Sequence, residues 1–297
     1  MNLATLRGWT GRLPWRWRFE RGSRARSGEM PWGGMVLIGA VVIYLSLLLL
    51  LPALNVGVQA FAKGLGPLME ALSKPPLQHA IKLTLLMAVI SVPINTVFGL
   101  CAGLVLARKR FPGRTLLLSV IDLPFSISPV VAGLMLVLLY GRNGWFGGAL
   151  ADSGIRIIFA LPGMVLATLF VSMPFVAREV IPVLEEMGPE QEEAARTLGA
   201  NGWQTFWRVT LPNLRWSLLY GLVLTNARAM GEFGAIAVVS GAISGKTETL
   251  PLYVEMAYKQ YQTQEAYGAA LLLALLAIAT LILKGLLERT GVDRHGH

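Results

Sequence analysis

The run EAARTLGANGWQTFWRVTLP, residues 193–212, is a polar, punctuated segment set between long apolar stretches. Pro189 suits the first turn of a helix, where no backbone N–H is needed, and Glu190, Glu192 and Glu193 place negative charge beside the positive end of the helix dipole. Arg196 falls in the last turn, and Gly199 can take the left-handed conformation that ends a helix. The expected product is a helix of about two to three turns on which Ala194, Ala195 and Leu198 form a small surface open to close approach. A second short segment begins at its cap, Asn201, carries Trp203, Phe206 and Trp207 at helical spacing, and stops at Pro212. Such a stripe ordinarily marks burial, and on spacing alone it also suits an amphipathic connector at the headgroup level of a membrane.

Composition outside this run identifies the solvent. Of 297 residues, 54% are hydrophobic and 14% charged, which is too apolar for an ordinary soluble domain. An all-α integral membrane protein is expected. Uncharged runs long enough to cross a bilayer occur at 31–62, 83–107 and 157–177. Three further candidates are less clean: 115–140 contains Asp122, 216–241 contains Arg228 and Glu232, and 266–283 is near the short end. The reading is six spans, with a basic and aromatic arm at 1–30, a core at 79–284 whose loop 178–215 holds the opening motif, and a tail at 285–297.

Positive charge orients the spans, because cytoplasmic loops retain Lys and Arg. With the N terminus inside, eighteen of the 26 basic residues fall in inner segments and seven in outer ones, with Arg228 in a span. Both termini are therefore expected on the cytoplasmic side. The net charge of +9 does not imply nucleic-acid binding, because seven arginines crowd the first 26 residues, interleaved with Trp9, Trp15, Trp17 and Phe19. An arm facing anionic membrane lipid accounts for them. Cys101 is the only cysteine, which excludes an intrachain disulfide, and His79, His295 and His297 make no helical metal pair. No metal site and no catalytic constellation is expected. The segment 240–247, ending Gly-Lys-Thr, looks like a phosphate-binding loop but has Ser240 where the first glycine must stand, so it reads as an outer loop with turn glycines.

Two polar intrusions are candidate parts of a solute path. Asp122-Leu-Pro-Phe-Ser-Ile-Ser-Pro129 sets prolines five apart with two hydroxyls between them. Each proline removes a donor and crowds the preceding turn, and non-helical backbone at membrane depth is tolerated where it lines a cavity or is buried in protein. Asp122, Pro124, Ser126, Ser128 and Pro129 are therefore either path residues, with hydroxyl donors for a weakly held oxyanion, or a kink whose serines bond back to the helix. Arg228 and Glu232 are four residues apart, on one face of the fifth helix, near mid-membrane. They are either a substrate-facing cation with its neighbour or a salt-bridged lock. The lock is preferred, because Glu232 is in reach and a bare mid-membrane arginine would trap a multiply charged anion rather than pass it.

Residues 79–284 resemble the sulfate/thiosulfate permease branch of the type I ATP-binding-cassette importers. The resemblance is carried by the opening motif, by DLPFSISPVVAGL at 122–134, FALPGMVLATLF at 159–170, PFVAREVIP at 174–182, VTLPN at 209–213, ARAMGEFGAIAVVSG at 227–241 and TLPLYVE at 249–255. It implies the six-helix permease fold of those importers, with a cytoplasmic "EAA" coupling loop that docks on a separate ATPase through Glu193, Ala194, Ala195, Leu198, Gly199, Trp203, Leu211 and Pro212. It implies as partners a homologous permease, two ATPase subunits and a periplasmic sulfate- or thiosulfate-binding protein, with ATP and Mg bound by the ATPase and no cofactor in this chain. Molybdate or tungstate permeases share GEFGA and the coupling loop and are the nearest alternative. An ion-driven secondary transporter is the alternative of a different class, but only one proline-broken span and no clear repeat are evident.

Overall fold

The computed structural model describes residues 32–292; the arm at 1–30 and residues 293–297 lie outside them. Every element among the described residues is a helix. Two compact units divide the chain after Leu54. The first contributes most of α1 (Trp32–Phe61), an apolar helix with one π-helical turn at Ser46–Leu50. Its side chains from Met35 to Leu51 are largely exposed and apolar, as a lipid-facing helix requires.

The second unit begins at Asn55 and holds α2 (Leu65–Ser73), α3 (Pro75–Arg108), α4 (Arg114–Ser126), α5 (Pro129–Tyr140), α6 (Gly147–Asp152), α7 (Leu161–Met187), α8 (Glu190–Thr197), α9 (Gly202–Met230), α10 (Gly234–Ser240), α11 (Leu250–Lys259) and α12 (Thr263–Val292). The six apolar runs read from the sequence are all helical. α1, α3 and α7 are long and apolar enough to cross a membrane as single helices. The third and fifth runs are bent pairs, α4 with α5 at 110° and α9 with α10 at 51°, and the sixth is the apolar stretch Thr263–Ala279 of α12.

Small residues set the central packing. A Cβ on Gly99 of α3 would lie 2.6 Å from Val176 Cβ and 2.9 Å from the Ala177 backbone nitrogen of α7. One on Gly103 would lie 2.9 Å from Val180 Cγ1, and one on Gly221 of α9 would lie 3.0 Å from Val176 Cα. Three helices thus meet at Val176 with backbones in near contact, the arrangement that small residues permit between helices in lipid. Val176, Val180, Leu184 and Leu214 form the core there, with Leu100 and Leu104 against them. A second cluster, Leu83, Met87, Met164, Ile236 and Leu252, joins α3 and α7 to α10 and α11. Within this bundle Asn95 donates to Ser172 Oγ at 2.8 Å and to the Leu169 carbonyl at 3.2 Å, just before Pro174 interrupts the ladder of α7.

Three boundaries differ from the sequence reading. α7 runs on to Met187 instead of leaving the bundle near residue 178, because Val176, Val180 and Leu184 keep one face buried. α12 continues to Val292, into the stretch read as a tail. Pro212 does not stop its helix. The backbone widens into a π-helical turn at Phe206–Thr210, Leu211 N–H bonds to the Phe206 carbonyl five residues back, and Pro212 enters the next turn without needing a donor.

The packing at Gly99 and Gly103 makes a graded prediction. Gly→Ala inside a helix returns about 1 kcal/mol of propensity, whereas overpacking costs about 1–3 kcal/mol. Gly99→Ala meets backbone and should lower the melting temperature of the detergent-solubilised chain. Gly103→Ala meets the Val180 side chain and no backbone atom and should lower it less, and Val180→Ala should relieve only the second. Equal shifts for both glycines would contradict the close α3–α7 approach.

Candidate functional site

The segment 189–212 is built as a clamp with one buried and one exposed side. α8 begins after Pro189 with Glu190, Glu192 and Glu193 in its first turn and Arg196 in its last. Its end is closed by two backbone bonds, Ala200 N–H to the Ala195 carbonyl at 3.0 Å and Gly199 N–H to the Arg196 carbonyl at 2.9 Å, with Gly199 at φ +90°. This is the two-bond glycine ending that satisfies orphan carbonyls, and nothing lies within 4 Å of a Cβ placed on Gly199. Asn201 then caps α9 reciprocally, accepting from Gln204 N–H at 2.8 Å while its own N–H donates to Gln204 Oε1 at 3.0 Å.

Glu192 anchors this segment. Its carboxylate is buried and receives Arg108 Nε at 3.2 and 3.3 Å, Arg108 Nη2 at 3.0 Å and Thr210 Oγ1 at 3.0 Å. Arg108 Nη1 also donates to the Leu184 carbonyl at 2.6 Å. One side chain of α8 therefore ties together the ends of α3 and α7 and the start of α9. The opposite side is open: Glu193 and Ala194 are exposed, Ala195 is half-buried, and Leu198 and Trp203 are 89% and 70% exposed. Trp203, Phe206 and Trp207 stack edge to face or tilted within 6.2 Å of one another. Of the readings open for this stripe, burial is not met among the described residues, because Trp203 and Trp207 lie on the side away from the bundle. Leu211 is half-buried and Pro212 exposed.

The two bent pairs bring their breaks together. α4 ends at Ser126 and α5 starts at Pro129, with Ile127 and Ser128 extended between them. α9 ends at Met230 and α10 starts at Gly234, where a Cβ would lie 3.0 Å from Pro129 Cβ and 3.4 Å from Val130 N. Gly234 is thus required by the approach of one break to the other. Glu232 does not share a helix face with Arg228, because the helix ends before it. Its side chain turns back all the same: Oε2 meets Arg228 Nη1 at 2.5 Å, and Oε1 accepts Ala235 N–H of α10 at 2.9 Å. Glu232 is 1% exposed and Arg228 30%.

Around the first break, Pro124 is buried, Asp122 and Pro129 are half-buried, and Ser126 and Ser128 are exposed, their hydroxyls without a partner among the described residues. Asp122 is held by Arg178, whose Nε donates at 2.8 Å while its guanidinium lies 4.9 Å from the Phe125 ring centroid. The residues missed by sequence reasoning are the partners: Arg108, Glu192 as a buried anchor, Thr210 and Arg178. Arg108 and Arg178 had been assigned to the charge that orients loops, and the available signal was that each stands at or inside an apolar helical run. Glu248 was passed over as well. It is buried in the loop between α10 and α11, and burial raises its carboxyl above the ordinary value against the opposing Ser244 hydrogen bond and His79 charge.

Residues 99–290 match the family described as binding-protein-dependent transport system inner membrane component. The chain belongs to that family. This permease is 67% identical over 264 residues to the sulfate transport system permease protein CysW of Synechococcus elongatus, covering 89% of this chain and 92% of that one. It is 36% identical over 276 residues to the permease protein CysT of the same organism, covering 92% of each. Its fold matches a chain of a bacterial alginate ABC transporter, crystallised with a pentasaccharide-bound periplasmic protein, at a TM-score of 0.73 and 18% identity over 87% of this permease and 94% of that chain.

The geometry of Glu232 separates its two roles. Glu232→Gln keeps an acceptor for Ala235 N–H but leaves Arg228 unpaired, which should cost about 3–5 kcal/mol. Glu232→Leu removes both and should cost more, and Arg228→Met combined with Glu232→Gln should recover much of the loss. Thermal denaturation of the purified permease measures all three. A double variant no more stable than Glu232→Gln would mean that the ion pair is not the lock.

Proposed function

We propose that this chain is the permease subunit of an ATP-driven sulfate importer, with thiosulfate as a second substrate. The observation that carries the proposal is two-thirds identity to one kind of sulfate permease, CysW, along nearly its whole length, beside a weaker full-length similarity to a second kind, CysT, in the same organism. Two kinds of permease suit a heterodimer, with this chain as the CysW-like half and a CysT-like chain as the other. Two ATPase subunits bind ATP and Mg and dock on the exposed face of α8 and the start of α9, and this chain carries no catalysis. A periplasmic binding protein delivers the anion to the outer side, and both termini of the permease are cytoplasmic.

In this mechanism ATPase closure moves Leu198, Trp203 and the surface around Ala194. The Arg108–Glu192–Thr210 clamp transmits that motion to α3, α7 and α9 because the contact is buried and has four donors. The breaks at 127–128 and 231–233 line the path. Ser126 and Ser128 offer hydroxyl donors, and Arg228, neutralised by Glu232, contributes no full charge to hold a dianion. Binding is weak enough to release.

Two measurements test this. In a bacterium lacking its own CysW-like permease, the chain should restore radiolabelled sulfate uptake, and tenfold excess molybdate or tungstate should leave the rate unchanged; competition equal to that of unlabelled sulfate would overturn the substrate. Gly199→Val strains a backbone at φ +90° by about 1–2 kcal/mol or more without any clash, so uptake should fall while the permease still inserts. Normal uptake would remove the coupling role. For the path, Ser128→Cys in a Cys101→Ala background should react with a small water-soluble thiol reagent, at a rate that changes when ATP is bound. Protection in every state would make the break a packed kink.

A further inference from the structure

A cleft at the end of α3 shares Arg108 with the clamp but is otherwise not used by the mechanism above. It has a volume of about 560 Å³ and is lined by Arg108, Lys109, Arg110, Arg114, Glu185 and Pro189, among others. Two of these four cations are already matched, Arg108 by Glu192 and Arg114 by Glu185. Lys109 and Arg110 are exposed and have no carboxylate partner among the described residues. Gly188, which also lines the cleft, lies against the Glu190 carboxylate, so the four cations face three carboxylates and the cleft keeps an excess of about one positive charge, carried by Lys109 and Arg110.

The turn that bears them is fixed. Phe111 packs on the buried cluster of Leu106, Ile121 and Ala177. Arg114 Nε donates to the Leu106 carbonyl at 2.8 Å, and Gly113 at φ +94° starts α4. A ligand would not have to order this loop, which lowers the cost of binding. A fixed concave surface with guanidinium and ammonium donors suits a tetrahedral oxyanion, whose oxygens accept several charged hydrogen bonds at once. The cleft immediately follows a 34-residue helix long and apolar enough to cross a membrane, the kind of position from which basic side chains meet lipid headgroups.

We propose that this cleft binds one tetrahedral oxyanion, presented either by an anionic phospholipid headgroup or as a free inorganic anion. The inference is independent of the transported substrate, since it needs only the chain itself. Its test uses the full chain purified in neutral detergent. Inorganic phosphate and sulfate, each radiolabelled, are measured by equilibrium dialysis, and retained lipid is quantified after exchange from phosphatidylcholine vesicles with and without phosphatidylglycerol. Phosphatidylglycerol enrichment lost in the Lys109→Gln, Arg110→Gln double variant supports the headgroup source. Saturable phosphate or sulfate binding lost in that variant supports the free anion. In either case the loss should be about tenfold or more at low salt, and binding should weaken as ionic strength rises. The charge-conserving Lys109→Arg, Arg110→Lys variant should bind like the native chain, which separates charge from misfolding. No saturable binding of any probe, or binding indifferent to the double Gln variant, overturns the proposal.

Discussion

A helix interrupted inside an apolar layer must hand its loose backbone groups to some partner, and much of this fold follows from how that is done. At the fifth apolar run the partner is Glu232. Its one carboxylate caps Ala235 N–H at the start of α10 and meets Arg228 at the end of α9, so the break has a defined bend and no loose charge. Gly234 then lets Pro129 approach, which draws the other break alongside. Asn95 does the corresponding service for the Leu169 carbonyl beside Pro174. At these two places a specific side chain receives a backbone group beside the irregularity.

The same economy governs the polar end of the bundle. Arg108 could have been one more cytoplasmic charge. Instead it is buried against Glu192 and Leu184, and the carboxylate it holds also takes Thr210. A buried ion pair is weak evidence for stability, since desolvation offsets most of its attraction. Its use here is geometric: it fixes the rotation of α8 so that Ala194 and Leu198 face outward while Glu192 faces in.

Much of this architecture was legible because its signals are local. Pro189, the acidic first turn, Arg196 and Gly199 mark α8 at both ends, and the apolar runs mark the helices of the bundle. Pro129 marked the first break. The second was missed because Gly231 and Gly234 are weak signals in a run rich in small residues, and the reason for Gly234 lies across the molecule at Pro129. Pro212 was misread for a related cause: proline rules assume a regular helix, and a π-helical turn one step earlier removes the conflict. The spacing of Trp203, Phe206 and Trp207 left burial and an amphipathic connector both open, because helical spacing reports a face, not what covers it. Arg178 and Asp122 lie 56 residues apart, a pairing that no spacing rule reaches.

The exposed aromatics and the buried clamp stand on opposite sides of one short segment, and that opposition suits the coupling role proposed for it. A surface that a separate subunit is to move must be open, apolar and locally stiff; three mutually stacked rings beside a closed helix end meet those needs. A motion received there reaches α3, α7 and α9 only if the segment resists bending, which the glycine ending and the Asn201 cap supply at its midpoint. The close contacts of Gly99, Gly103 and Gly221 then leave little slack between the three helices, so a push on one shifts the others as a body. The breaks at 127–128 and 231–233 are where such a body can change its angle, because there the chain already lacks the regular ladder that would oppose it.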